Sequence, residues 1–210
     1  MMPPRATYAL RTLGSAHIVD AAGRPHDAIL SQPRRFALLV YLAVSQREYE
    51  SRRSLAALFW PNASDTHARG ALKQAVFAIR RTFGPGVIIS RGAQELTLDR
   101  GVLQCDVREF SDAFREGRFH DAVALYGGDF LETFHVDAGD EFQSWIHAQR
   151  ASLAKDYRAA LTARKALPVP SSAALQSIGV ATSRRNLRSV AIVAAGVVAI
   201  ATVAAATRRN

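Results

Sequence analysis

The chain has 210 residues, of which 49% are apolar and 21% charged, the composition of one or two globular domains and not of a disordered tract. A single cysteine, Cys105, excludes an intramolecular disulfide and a four-cysteine zinc site, and none of the six histidines forms an HExxH or a close pair. The net charge of +9 is uneven: residues 31–91 carry ten basic against three acidic side chains, residues 92–183 nine against thirteen, and residues 184–210 five against none. A basic block beside an acidic one points to two modules with different partners, the basic one a candidate for nucleic acid. No phosphate loop of the GxGxxG, GxxxxGKS or GxxxxGKT type occurs, so no cofactor and no metal is expected.

In chain order, Tyr8, Leu10 and Leu13 punctuate one strand-like run, His17 to Val19 a second and Ala28 to Leu30 a third, with a turn at Asp20 to Gly23. Ser31 is the expected cap of a first helix and Pro33 fits its first turn; Phe36, Leu39, Val40 and Leu42 or Ala43 keep helical spacing. Ser51 caps a second helix with Leu55, Leu58 and Phe59 on its apolar face. It ends at Trp60, because Pro61 pushes the residue before it out of helical backbone. A polar turn from Asn62 to Asp65 follows, in which Ser64 or Asp65 caps a third helix running to Phe83.

On that third helix Leu72, Val76, Ile79 and Phe83 form one apolar stripe. Arg69, Lys73, Phe77 and Arg80 share another face, flanked by Gln74 and Arg81. Arg or Lys can bond guanine O6 and N7, and Gln can pair with adenine edges, although a solvated face would have the same composition. Gly84–Pro85–Gly86 stops the helix; Val87 to Ile89 and Leu96 to Leu98 then make a hairpin around a turn at Arg91 to Gln94. Helix, helix, basic helix, hairpin is the order of a winged helix, with one helix in the major groove and Arg91 near the wing tip, within reach of the backbone or minor groove.

A second module spans residues 105–167. Asp106 is a candidate cap; Val107, Phe110, Ala113 and Phe114, then Phe119, Ala122, Val123 and Tyr126, give two helical stripes. Phe130, Leu131 and Phe134 sit in an apolar turn, and Glu141 to Ala166 is one long helical pattern. Short helix pairs of this kind resemble tetratricopeptide repeats, with room for about one and a half units. Asp129 and Glu132 read as part of a packing turn and not as an acid–base pair, His135 and Asp137 are too few for a metal, and Cys105 reads as a structural thiol. Trp60 and Trp145 read as core aromatics, and His67 as a phosphate contact or a solvated residue. A linker at 168–188 leads to a hydrophobic helix expected at 189–207. Val190 to Thr207 is 18 residues without a charge, about 27 Å as a helix. Ala191, Ala195 and Ala199, with Gly196, provide a small-residue face for close packing in a bilayer. Arg184, Arg185 and Arg188 upstream favour a cytoplasmic head on a single-pass anchor in the cytoplasmic membrane.

The stretch LAALFWPNASDTHARGALKQAVFAIRRTFG, Leu55 to Gly84, resembles the DNA-binding domain of the Streptomyces antibiotic regulatory protein family. The matching positions are Phe59–Trp60–Pro61, Ala68–Arg69, Leu72, Gln74, Ile79–Arg80–Arg81 and Gly84, with Ile79 in place of the more usual Leu. The resemblance implies a response-regulator-type winged helix over residues 6–100, with a sheet ahead of its three helices. It implies Arg69, Lys73, Gln74, Arg80 and Arg81 as the DNA-facing set, with Ser64 and Thr66 suited to phosphate. Residues 105–167 are similar to the start of the bacterial transcriptional activator domain, through Asp106 to Phe110, Ala122 to Leu131 and Trp145 to Arg150. That domain looks abbreviated here. The expected fold is therefore an α+β winged helix-turn-helix, an all-α tetratricopeptide-like module and a C-terminal hydrophobic helix. The expected function is double-stranded DNA binding in transcription regulation, without catalysis. Expected partners are a second copy on repeated half-sites, RNA polymerase against the acidic surface, and membrane lipid. A soluble regulator of the same family and a membrane-anchored protein-interaction module are the alternatives.

Overall fold

The computed structural model describes residues 7–136 and 138–166. The linker at 168–188, the hydrophobic helix at 189–207 and its residues Val190, Ala191, Ala195, Gly196 and Ala199 lie outside them. Among the described residues no helix is long and apolar enough to cross a membrane.

The chain opens with β1 (Tyr8–Arg11) and β2 (His17–Asp20), paired antiparallel with Leu10 opposite Ile18. Residues Ala28 to Leu30 do not make the expected third strand. A single 3-10 turn occupies Asp27–Ile29 and buries Ile29 against the core. The Ser31 hydroxyl donates to the Ala28 carbonyl at 2.8 Å and closes this turn, so it does not cap the helix. Gln32 takes the cap position without a side-chain bond, and Pro33 starts α1 (Pro33–Val44). Pro suits that place because the first N–H of a helix has no partner to lose. From Phe36 to Val44 all but Tyr41 are buried, so α1 is the central rod of the core.

A two-residue strand, β3 (Glu50–Ser51), leads into α2 (Arg52–Phe59), whose first turn is closed by the Ser51 hydroxyl accepting from the Ser54 N–H. The helix stops at Trp60 as Pro61 requires. Helix α3 (Asp65–Phe83) starts at Ser64, whose hydroxyl accepts from the His67 N–H, and ends at Gly84, where φ is 97°. A β-carbon there would be strained, so glycine ends the helix cleanly. Next come β4 (Ile88–Arg91) and β5 (Glu95–Leu98), a hairpin extended by β3 into the sheet order β3-β5-β4.

From the hairpin the chain returns to the first sheet. β6 (Leu103–Cys105) pairs parallel with β1, giving the order β2-β1-β6 and placing Cys105 opposite Leu10. Helices α4 (Asp106–Arg115), α5 (Phe119–Leu125) and α6 (Asp140–Ala166) follow, with α5 packed on both α4 and α6. Asp106 is not the cap of α4. Cys105 holds that position, and the buried Asp106 carboxylate accepts from the Thr12 N–H at 2.7 Å, the Thr12 hydroxyl at 2.8 Å and the Leu13 N–H at 2.8 Å.

The helical stretch and the α+β stretch share one core. Phe36 on α1 meets Phe134 edge-on at 4.8 Å, Phe59 on α2 meets Phe142 at 5.0 Å, and Tyr41 meets Trp145 at 4.9 Å. The turn before α6 is bound to the N-terminal strands: the Gly14 N–H donates to Asp129 and the Leu131 N–H to Thr12. Gly14, at φ 103°, lies against Gly127 and Gly128 so closely that a β-carbon on Gly127 would come 3.0 Å from the Leu13 carbonyl oxygen. Arg150 of α6 donates to the Phe130 and Leu131 carbonyls, each at 2.7 Å, and fixes Leu131 in a left-handed conformation (φ 52°). The described residues thus form one compact unit, an α+β N-terminal module followed by α-helices.

Candidate nucleic-acid interface

Helix α3 is split lengthwise by solvent. Leu72, Val76, Ile79 and Phe83 are all buried, as is Ala75, and they hold the helix against α1 and α2. Arg69, Lys73, Gln74, Phe77 and Arg81 are all exposed. Phe77 has 68% of its surface in water, more than any other large apolar residue described. Arg69 meets Asp65 at 3.4 Å one turn earlier, but both side chains are mostly in solvent. An exposed pair of this kind is worth little and exchanges readily for another anion. Among the described residues neither Lys73 nor Arg81 has a carboxylate partner.

The expected DNA-facing residues do not all share this freedom. Arg80 is half-buried and donates to the Ile88 carbonyl from Nε at 3.0 Å and from Nη2 at 2.7 Å. It fastens α3 to β4. Arg91 ends β4 and donates from Nε to Glu95 at 2.6 Å, while its guanidinium carbon lies 3.9 Å from the centre of the Tyr49 ring. The bond to Glu95 raises the Arg91 pKa and lowers that of Glu95. Arg91 is therefore held on the wing's flank, and the turn itself, Gly92 to Gln94, carries no charge. The Ser64 hydroxyl is occupied as the helix cap and also lies 2.8 Å from His67 Nδ1. Thr66 is exposed in the first turn of α3.

One further residue joins the cationic face. Arg52, at the start of α2, donates from Nη2 to the Ser90 hydroxyl at 3.0 Å, and Arg80 Nη2 donates to the same hydroxyl at 3.0 Å. Two guanidinium groups thus converge on one exposed serine of β4. Arg52 Nε is buried with no hydrogen-bond partner. Burial, and then the charge of Arg80, push the Arg52 pKa down. The sequence does carry a sign of this. Arg52 and Arg53 stand in the first turn of α2, which has no acidic residue, although the helix dipole disfavours cations there. A basic pair in that position makes sense where an external anion supplies the compensation.

No protein-family model matches the chain, and no curated protein matches it. Among solved structures it is similar to EmbR of Mycobacterium tuberculosis, determined in complex with a low-affinity phosphopeptide. The two superpose with a TM-score of 0.52 at 19% sequence identity, over 75% of this chain and 44% of that one. At that identity the likeness is one of fold, and the chain spans less than half of the EmbR chain's length.

Among the described residues no group of three or more His, Cys, Asp and Glu is placed to hold an ion. Cys105 is buried, and its pKa is pushed up to about 12, by burial first and the Asp106 carboxylate second. A thiol in that state is a poor nucleophile.

Proposed function

We propose that this chain is a transcriptional regulator that binds double-stranded DNA in a sequence-specific way, with α3 in the major groove and the β4–β5 wing against the backbone. One observation carries the reading. A helix whose apolar side is fully committed to the core presents Arg69, Lys73, Gln74 and Arg81 to solvent, beside a hairpin bound to it through Arg80. Arg, Lys and Gln are the side chains that match guanine and adenine edges, and the convergent pair Arg52 and Arg80 suits a phosphate. The fold likeness to EmbR supports the same architecture. The role is binding, not catalysis.

One such head spans few base pairs, so specific affinity calls for two copies on half-sites about one helical turn apart. The uncharged run from Val190 to Thr207, with three arginines ahead of it, supports a tether to the cytoplasmic membrane with the head in the cytoplasm. Acidic residues of the helical stretch are the candidate surface for RNA polymerase.

Selection of duplexes from a randomised pool by the full chain tests the reading. A recovered consensus, bound cooperatively when repeated, is the expected result. Failure to retain any duplex at about 50 mM salt, where phosphate contacts are strong, would overturn it. Membrane fractionation tests the tether separately: the full chain resists carbonate extraction, whereas a chain ending at residue 183 is extracted.

A further inference from the structure

We propose that Phe77 reads the methyl group of a thymine, an assignment that rests on the DNA-binding reading above and names a base which that reading leaves open. The ring stands 68% exposed on the outer face of α3 and makes no ring contact among the described residues. A single exposed apolar side chain is ordinary on a protein surface. Its neighbours are what give this one meaning. Lys73 lies one turn before it and Arg81 one turn after, on the same side of the helix, with Gln74 between. An apolar protein partner covering Phe77 would have to strip water from both cations without offering them a carboxylate. Duplex DNA supplies phosphates for the cations and a groove floor for the ring.

That floor is almost wholly polar. Guanine, cytosine and adenine present only donors and acceptors in the major groove, while thymine alone adds a methyl group. An aromatic ring has no hydrogen bond to give, so its affinity for one base over another lies in that methyl. The ring is also stiff, with two rotatable bonds, so little rotamer freedom is lost when it docks.

The full chain selects duplexes from a randomised pool, and each thymine of the recovered sequence is then replaced in turn by deoxyuridine, which removes the methyl and nothing else. At one position the wild-type chain should bind the uracil duplex about fourfold more weakly, the worth of one buried methyl. Phe77→Ala should bind the thymine duplex more weakly than wild type and show no further loss on the uracil one. Phe77→Leu, still apolar, should keep part of the discrimination. The proposal is overturned if the wild type ignores uracil at every position, or if Phe77→Ala keeps the wild-type loss. It is also overturned if Phe77→Ala binds every duplex as the wild type does but loses self-association in sedimentation, since the ring then belongs to a second copy. A chain that retains no duplex at all defeats the DNA reading itself, a different and separable result.

Discussion

Arg80 grips the main-chain carbonyl of Ile88 with two of its nitrogens, Nε at 3.0 Å and Nη2 at 2.7 Å. Helix α3 and the β4–β5 hairpin are thereby one mechanical piece, and the angle between them is set by the fold itself. Arg80→Ala removes both bonds and leaves the carbonyl at the α3–β4 junction without its donor. Hydrogen bonds from a charged group contribute about 1.5–3 kcal/mol, and at this half-buried site the lower end applies. The expected result is a fall of about 1–2 kcal/mol in urea stability, with faster amide exchange in β4 and β5. Arg80→Lys, which cannot make the two-nitrogen grip, should recover less than half of that loss. Wild-type exchange rates in the hairpin of Arg80→Ala would refute the bracing role.

Asp106 ties the start of α4 to the segment after β1. Its buried carboxylate accepts from the Thr12 and Leu13 N–H groups, the Thr12 hydroxyl and the Val107 N–H at 2.8 Å. Asp106→Ala leaves several buried donors unpaired at once, a change that costs about 3–5 kcal/mol. Asp106→Asn keeps one acceptor oxygen and should fall between. Equilibrium unfolding checks both, and an alanine variant within about 1 kcal/mol of wild type would rule out the anchor.

Much of this architecture was legible in the residues, and the misses have physical causes. The stripe Leu72, Val76, Ile79 and Phe83 repeats with the helix, and its burial follows from that period. Ser51 and Ser64 cap because each has an N–H three residues on to accept from. The strands β3 and β6 are two and three residues long and exist only through partners far away in sequence, Leu96 for Glu50 and Leu10 for Cys105. Nothing in so short a window encodes such pairing. Ala28 to Leu30 reads as apolar, but burying Ile29 alone needs only one turn, which the chain takes before Pro33. At the candidate site, spacing placed Arg69, Lys73, Gln74, Phe77, Arg80 and Arg81 on the outer side of α3. It could not tell that the Arg80 guanidinium bends back to the wing or that Arg91 lies over Tyr49. Side-chain direction depends on the neighbouring carbonyl or ring, and those come from other segments.

Cys105 offers a test of the core through pH. Its thiol donates to Asp106 Oδ1 at 3.7 Å, and burial with that carboxylate holds its pKa up at about 12, against an ordinary 9.0. The folded chain therefore keeps the proton at pH values where the unfolded chain has released it. Stability from this group is complete below pH 9.0 and declines as pH rises towards about 12. Cys105→Ala should show a shallower loss of urea stability over that alkaline range. In the native wild type the thiol should resist a disulfide reagent at about pH 8 and react fully once urea unfolds the chain. Rapid reaction of the native protein would contradict the buried state.

Salt dependence separates the cations that meet phosphate from those that serve the fold. Each phosphate neutralised on duplex DNA steepens the log–log dependence of affinity on salt by about 0.9. Lys73 and Arg81 are exposed on α3, and Arg52 sits with Arg80 over the Ser90 hydroxyl. If Arg52 meets a phosphate, Arg52→Gln reduces the slope by about 0.9 and weakens binding to all sequences alike. Ser90→Ala is the companion variant. It removes the shared hydroxyl but neither charge, so the slope should hold even if some affinity is lost to a looser wing. Gln74→Ala should leave the slope unchanged and alter the recovered consensus, because a neutral amide reads base edges and releases no counterion. Arg91→Gln should change the slope little, since its charge is already answered by Glu95 at 2.6 Å. Were Arg52→Gln to leave the slope at its wild-type value while Arg91→Gln lowered it, the phosphate contact would belong to the wing's flank and not to the junction of α2 with β4.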